Sequence, residues 1–128
     1  MKIDRVDHFV LAVASIKASC AFYSEILGME VTSFAAGRKA LSFGAQKINL
    51  HQYGKEFEPR SQAPTPGSGD FCLIAAESLT QVVSHLEGLG IDIGEGIVAR
   101  TGATGPIQSI YLRDPDQNLV EISEYVAL

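Results

Sequence analysis

A chain of 128 residues, 46% hydrophobic and 20% charged, has the make-up of one compact domain with a real core, or of two half-size modules sharing one. Its formal net charge of -5, with no Lys/Arg cluster, argues against nucleic acid as the main partner, because phosphate binding needs concentrated positive charge. Asp4 and Asp7 come too early for a signal peptide, and no apolar run approaches the roughly 20 residues that span a bilayer. The expectation is a cytoplasmic protein with no membrane partner, in which Cys20 and Cys72 are reduced, buried thiols.

In chain order, "RVDHFVLAV" alternates and is β-branched enough for a strand. Ser15 then opens "SIKASCAFYSEILG", where Ile16, Cys20, Tyr23 and Leu27 fall at helical spacing and Gly28 ends the helix. "EVTSF", "KALSF" and "KINLHQ" come next as short strands separated by Gly-bearing turns. A Pro/Gly/Ser-rich stretch, "GKEFEPRSQAPTPGSG", supplies a connector over residues 54–69. Beyond it, "DFCLIAA" reads as a strand and "SLTQVVSHLEGLG" as a helix ending at Gly90. A Gly-rich stretch to Pro106 precedes the strands "IQSIYLRD" and "NLVEIS". "RDPDQN" between them is a turn, with Pro115 setting φ and Asp114 and Asp116 favouring turn conformations.

Strand, helix and strands thus occur twice. An offset of 62 maps Phe9 to Phe71, Leu11 to Leu73, Leu27 to Leu89 and Gly28 to Gly90, and an offset of 70 maps "INLHQ" onto "NLVEI". The expected class is α+β: a single domain over residues 1–128 built of two βαβββ modules, about 1–53 and 70–128, sharing a half-open curved sheet. Under these offsets His8 corresponds to Asp70, and His51 to Glu121. An offset of 63 would instead set Phe71 opposite His8, and a one-residue slip reverses a strand's face. All four polar residues can bind a divalent cation. Strand alternation turns His51 and Glu121 away from Leu50, Val120 and Ile122; where those apolar neighbours face the helices, the two polar residues face the concave side of the sheet. Imidazole and carboxylate suit zinc, nickel, cobalt, manganese or iron, without choosing among them.

The stretches "VDHFVLAVASIKASCAFYSEILGMEV", "NLHQ" and "IYLRDPDQNLVEI" resemble the vicinal oxygen chelate superfamily, the glyoxalase/bleomycin-resistance/extradiol-dioxygenase group. "RKALSFG", "GKEFEP" and "RTGATGPI" carry a closer likeness to small glyoxalase-domain proteins, among them the bacterial virulence-protein type and glyoxalase domain-containing protein 5. The resemblance implies paired βαβββ modules and one divalent metal ion, with His8, His51 and Glu121 at the family's first-strand, fourth-strand and last-strand ligand positions. It also implies a homodimer in which each site draws on both chains. The chain departs from glyoxalase I where His51 stands for a Glu or Gln, and where Asp70 stands for a His.

The function implied is that of a metal-dependent lyase or isomerase. It would chelate two vicinal oxygens of a small substrate, thiol adducts included, while a proton moves between adjacent carbons, as in a lactoylglutathione lyase. Glu121 is expected as ligand and catalytic base, with Asp70 the competing base. The alternatives are extradiol ring cleavage, thiol transfer, or a metal-free binding protein of the resistance type. Arg38, Lys39 and Arg100 are candidates for anion contacts, and Arg38, Asn49, Arg100 and Tyr111 for substrate binding. His85 is expected at a helix end or surface.

Overall fold

The structure, a computed structural model, describes residues 1–127. Strand β1 (His8–Val13) leads into helix α1 (Ile16–Ala21), which continues as a π-helical segment (Phe22–Ile26), and then into β2 (Glu30–Phe34), β3 (Arg38–Phe43) and β4 (Gln46–Gln52). The second set is β5 (Asp70–Ile74), α2 (Leu79–Gly88), β6 (Val98–Thr101), β7 (Pro106–Arg113) and β8 (Leu119–Tyr125). The βαβββ order therefore occurs twice, in an α+β chain with two four-stranded sheets ordered β1-β4-β3-β2 and β5-β8-β7-β6.

Local chemistry fixes the helix ends. The Ser15 hydroxyl accepts from the Ala18 N–H, and Ser78 forms a capping box with Gln81. Within the first helical stretch, Ser24 Oγ donates to the Cys20 carbonyl at 2.6 Å, a back-bond that competes with the regular ladder where the helix widens. Gly28, at φ +72°, and Gly90, at φ +73°, supply the left-handed turns that stop the two helices. β6 supplies the third strand that the βαβββ order requires, from within the Gly-rich stretch where the sequence marks none. It is an edge strand bonded only to β7 and mostly exposed, so no apolar alternation marks it.

The chain clusters into two compact units, one of residues 1–68 with 115–117, the other of 69–114 with 118–127. In the first, α1 lies against β4, and Leu11, Val13, Tyr23, Leu41, Ile48 and Leu50 are buried. In the second, α2 lies against β7 and β8 over buried Leu79, Leu86, Ile110, Leu112, Val120 and Ile122. Each such side chain contributes about 1.5–3 kcal/mol when fully buried. The turn before β8 is held as expected: the Asp114 carboxylate accepts from the Asn118 backbone at 2.9 Å and from its side-chain amide at 2.8 Å. Within the first unit the Asp116 carboxylate accepts from the Ala14 N–H at 3.2 Å.

Both cysteines are free thiols, but neither is buried: Cys20 is half-buried and Cys72 exposed. It lies on the face of β5 away from the half-buried Phe71 and Leu73, so no core packing covers it. Among the described residues no helix is long and apolar enough to cross a membrane.

Candidate functional site

Strand register decides which polar residues stand together. β1 runs parallel to β4 with His8 opposite Lys47, Val10 opposite Asn49 and Ala12 opposite His51. β5 runs parallel to β8 with Asp70 opposite Leu119, Cys72 opposite Glu121 and Ile74 opposite Ser123. Both His8 and Asp70 open their strands, two residues before the one that faces Asn49 or Glu121. Asp70, not Phe71, is thus the counterpart of His8, and it shares the exposed face of its strand with Cys72 and Ile74. The counterpart of Glu121 is Asn49. His51 matches Ser123 instead, so the 70-residue offset was short by two. A two-residue slip keeps a side chain on the same face but moves it about 7 Å along the strand.

This corrects the expected grouping of His8 with His51. His51 stands four register positions beyond Lys47, the partner of His8, which is about 13 Å along the strand. Its ring is occupied otherwise. His51 is 4% exposed, and Arg38 Nη2 donates to His51 Nε2 at 3.3 Å. A guanidinium only donates, so Nε2 is the unprotonated nitrogen, and the lone pair a metal needs points at a cation. Burial first, then the Arg38 charge, pushes the His51 pKa below its ordinary value, with Glu56 opposing. The ring also meets Phe57 edge-on, with centroids 5.7 Å apart.

His8 is differently placed. It is exposed, and its Nδ1 lies 2.7 Å from Asp7 Oδ2. The carboxylate accepts from Nδ1–H, so in the neutral ring Nε2 is the nitrogen left to accept, the arrangement found behind metal-bound imidazoles. That hydrogen bond holds the Asp7 carboxyl below the usual carboxylate range.

In the second unit Glu121 is gripped from one side. Ser109 Oγ donates to Glu121 Oε2 at 2.6 Å and Ser123 Oγ lies 3.3 Å from the same oxygen, both serines being fully buried. Cys72 Sγ is 3.2 Å from Ser123 Oγ, and partial burial raises its thiol pKa, with the Ser123 hydrogen bond opposing and the Glu121 charge adding to it. Tyr111 stands opposite Glu121 on β7, and its hydroxyl accepts from Arg100 Nε at 2.9 Å. Arg100 and Tyr111 are therefore brought together on this face, while Arg38 and Asn49 lie on the corresponding face of the first unit. Lys39 points to the other face of β3 and donates to Ser33 Oγ at 2.7 Å. His85 lies exposed in the last turn of α2. The serine grip on Glu121 escaped the sequence reading, although Ser109 and Ser123 share its strand face by alternation.

Among the described residues no three His, Cys, Asp or Glu side chains of the chain converge on a point that could hold a metal ion. His8 and Glu121 each fit a ligand role by themselves, each with a donor atom left open.

Known proteins share this framework. The chain is 57% identical over 126 residues to the virulence protein STM3117 of Salmonella typhimurium, covering 98% of this chain and 88% of that one. The crystal structure of that protein superposes with a TM-score of 0.96. An integron cassette protein from Vibrio cholerae is 53% identical with a TM-score of 0.95, covering 98% of each chain. The glyoxalase domain-containing protein RDO1 of Mycosarcoma maydis is 50% identical over 98% of this chain and 70% of its own. A lactoylglutathione lyase from Agrobacterium tumefaciens, 22% identical with a TM-score of 0.73 over 96% of this chain and 95% of its own, shares the fold. Residues 5–122 match a family model, and with it the twofold βαβββ pattern places the chain in the Glyoxalase/Bleomycin resistance protein/Dioxygenase superfamily.

Proposed function

We propose that the chain is a metal-dependent enzyme of the glyoxalase type, a lyase or isomerase that moves a proton between adjacent carbons of a small substrate with vicinal oxygens, as a lactoylglutathione lyase does. The observation that carries this reading is the grip on Glu121. Ser109 and Ser123 fix one carboxylate oxygen, and Oε1 has no protein donor among the described residues. A carboxylate held in one orientation with one oxygen free is suited to serve as a general base for a substrate proton brought within hydrogen-bond reach of it.

A divalent cation of the zinc, nickel, cobalt, manganese or iron kind, when bound, polarises the substrate oxygens as a Lewis acid and so acidifies the neighbouring C–H. His8 would hold it through Nε2, with Asp7 fixing the ring, and Glu121 and Asp70 would supply carboxylate oxygens. The family resemblance implies a homodimer in which each site draws on both chains, and the ligands are assigned to two copies on that ground. His51 is left out of the set, because its Nε2 lone pair accepts from Arg38. Glu121 takes the proton from one carbon and returns it to the next.

Metal analysis of the purified protein, joined to solvent-deuterium incorporation in a screen of α-ketoaldehyde hemithioacetals and catechols, tests the reading. Stoichiometric metal with deuterium in the product supports it. Metal-free protein that binds ligand without turnover would assign the chain to the resistance-type binders, and oxygen-dependent catechol cleavage to the dioxygenases.

A further inference from the structure

One cluster in the first unit has no part in the proton transfer. Arg38, Asn49 and His51 share the face of the sheet that also carries Lys47 and Phe34. The Arg38 guanidinium lies 4.3 Å from the Phe57 ring centroid and 5.2 Å from that of Phe34. Lys47 Nζ reaches the same Phe34 ring, 3.9 Å from its centroid. Two cations thus meet at one aromatic ring, and neither makes an ion pair among the described residues. The acceptor that Arg38 does have is the neutral His51 nitrogen. The Arg38 Nε–H is buried with no hydrogen-bond partner, and so is the Asn49 side-chain oxygen.

An orphaned donor on a cation is costly unless an acceptor arrives, and a guanidinium fork matches a carboxylate in two parallel bonds. The two phenyl rings hold the guanidinium plane in place, which lowers the ordering cost of such a bond. We propose that Arg38 and Lys47, seated on Phe34 beside His51 and Asn49, form a carboxylate-binding subsite. The position adds a constraint on the substrate. Arg38 and His51 lie about 13 Å along the strands from the level of His8, while Lys47 stands at that level, so a carboxylate anchored on the Arg38 fork is several bonds from any substrate group that reaches His8. That constraint rests on the proton-transfer reading, but carboxylate capture by the pair does not.

The test is titration of metal-free protein with succinate, followed through the arginine Nε–H resonances by NMR, with neutral succinamide as the isosteric control. Arg38→Lys identifies the Arg38 signal by its loss. The expected result is a saturable shift of that signal and of the His51 ring with succinate, none with succinamide, and affinity about 10- to 100-fold weaker in Arg38→Lys, as loss of a charge-assisted fork requires. Lys47→Met, which leaves Arg38 in place, should weaken binding as well. An unmoved Arg38 signal, or equal shifts with succinamide, overturns the subsite. Repeating the titration on metal-loaded protein separates the two readings: succinate binding without any metal uptake sinks the metal enzyme and leaves the subsite standing, and metal uptake without succinate binding does the reverse.

Discussion

Asn49 and Glu121 occupy the same place in the two halves of the chain, one opposite Val10 and the other opposite Cys72, two residues past His8 and Asp70 respectively. The repeat has a neutral amide on one side and a carboxylate on the other. Only Glu121 can accept a proton at this level. Glu121→Gln should lower metal affinity and, at full metal occupancy, leave turnover reduced by about 10²–10⁴-fold, the usual loss for a removed general base. Turnover and bound metal measured on the same sample check this. Asp70→Asn is the control: an inactive, metal-replete Asp70→Asn beside a restored Glu121→Gln would transfer the base role to Asp70.

The serine grip should be visible in stability. Ser109 is fully buried and its hydroxyl lies between Glu121 Oε2 and Ser123 Oγ, 2.6 Å from each. Ser109→Ala should cost about 1–2 kcal/mol in urea unfolding, since one buried hydrogen bond goes and Ser123 must repartner. In a Ser109→Ala, Glu121→Gln double variant the losses should fall short of additive by about 0.5 kcal/mol or more, as for residues in one network. Strict additivity would place the two groups in separate networks.

The halves, the faces and the turns were legible because a strand of period two and a helix of period 3.6 write their buried sides into the sequence. Ser15, Ser78 and the Asp114–Asn118 turn carry local signals of a kind that tertiary context does not alter. The level of a residue along its strand is another matter. His51 and Asn49 share a face, so alternation cannot choose between them, and only the ladder between β1 and β4 shows which one matches Glu121. Arg38 was visible as a cation but not as the partner of His51, because their meeting depends on the antiparallel register of β3 and β4. β6 carried no pattern at all, being an edge strand with three of its four residues exposed.

His51 makes stability depend on pH. Its folded-state pKa is depressed, by burial first and by the Arg38 charge second, so below the ordinary value of 6.5 the unfolded chain binds more protons than the folded one. The contribution is fully present above that value and is lost as pH falls through the folded pKa. Urea midpoints across this range, with the His51 ring followed by NMR, check the sign. Arg38→Gln should raise the His51 pKa, and His51→Gln should flatten the acid side of the profile.

Gly67 is a position where only glycine fits. Its φ is +88°, and a Cβ there would stand 2.7 Å from the Asp116 carbonyl oxygen, a backbone atom with little room to yield. Gly67→Ala should destabilise by about 1–3 kcal/mol through left-handed strain and this contact. Thermal unfolding is the measurement, with Gly94→Ala as the comparison: φ is +61° there and no atom lies within 4 Å of the added Cβ, so the strain remains without the clash. Equal losses at the two positions would show that the close approach to Asp116 costs nothing.

Sharing of ligands between copies has its own test. If a metal is held by His8 of one chain and Glu121 of another, a dimer of one His8→Ala chain and one Glu121→Ala chain has one site with both ligands lost and one with both intact. Neither variant alone should bind metal tightly, whereas the mixture, after unfolding and refolding together, should recover tight binding at one site in each mixed dimer. Differently tagged chains allow the mixed species to be purified and its metal content measured directly. The expectation rests on the family resemblance, and each chain offers the two donors it needs: His8 has an open Nε2 and Glu121 has an open Oε1. Purified mixed dimers that bind no metal, beside wild-type protein that does, would return all the ligands to a single chain.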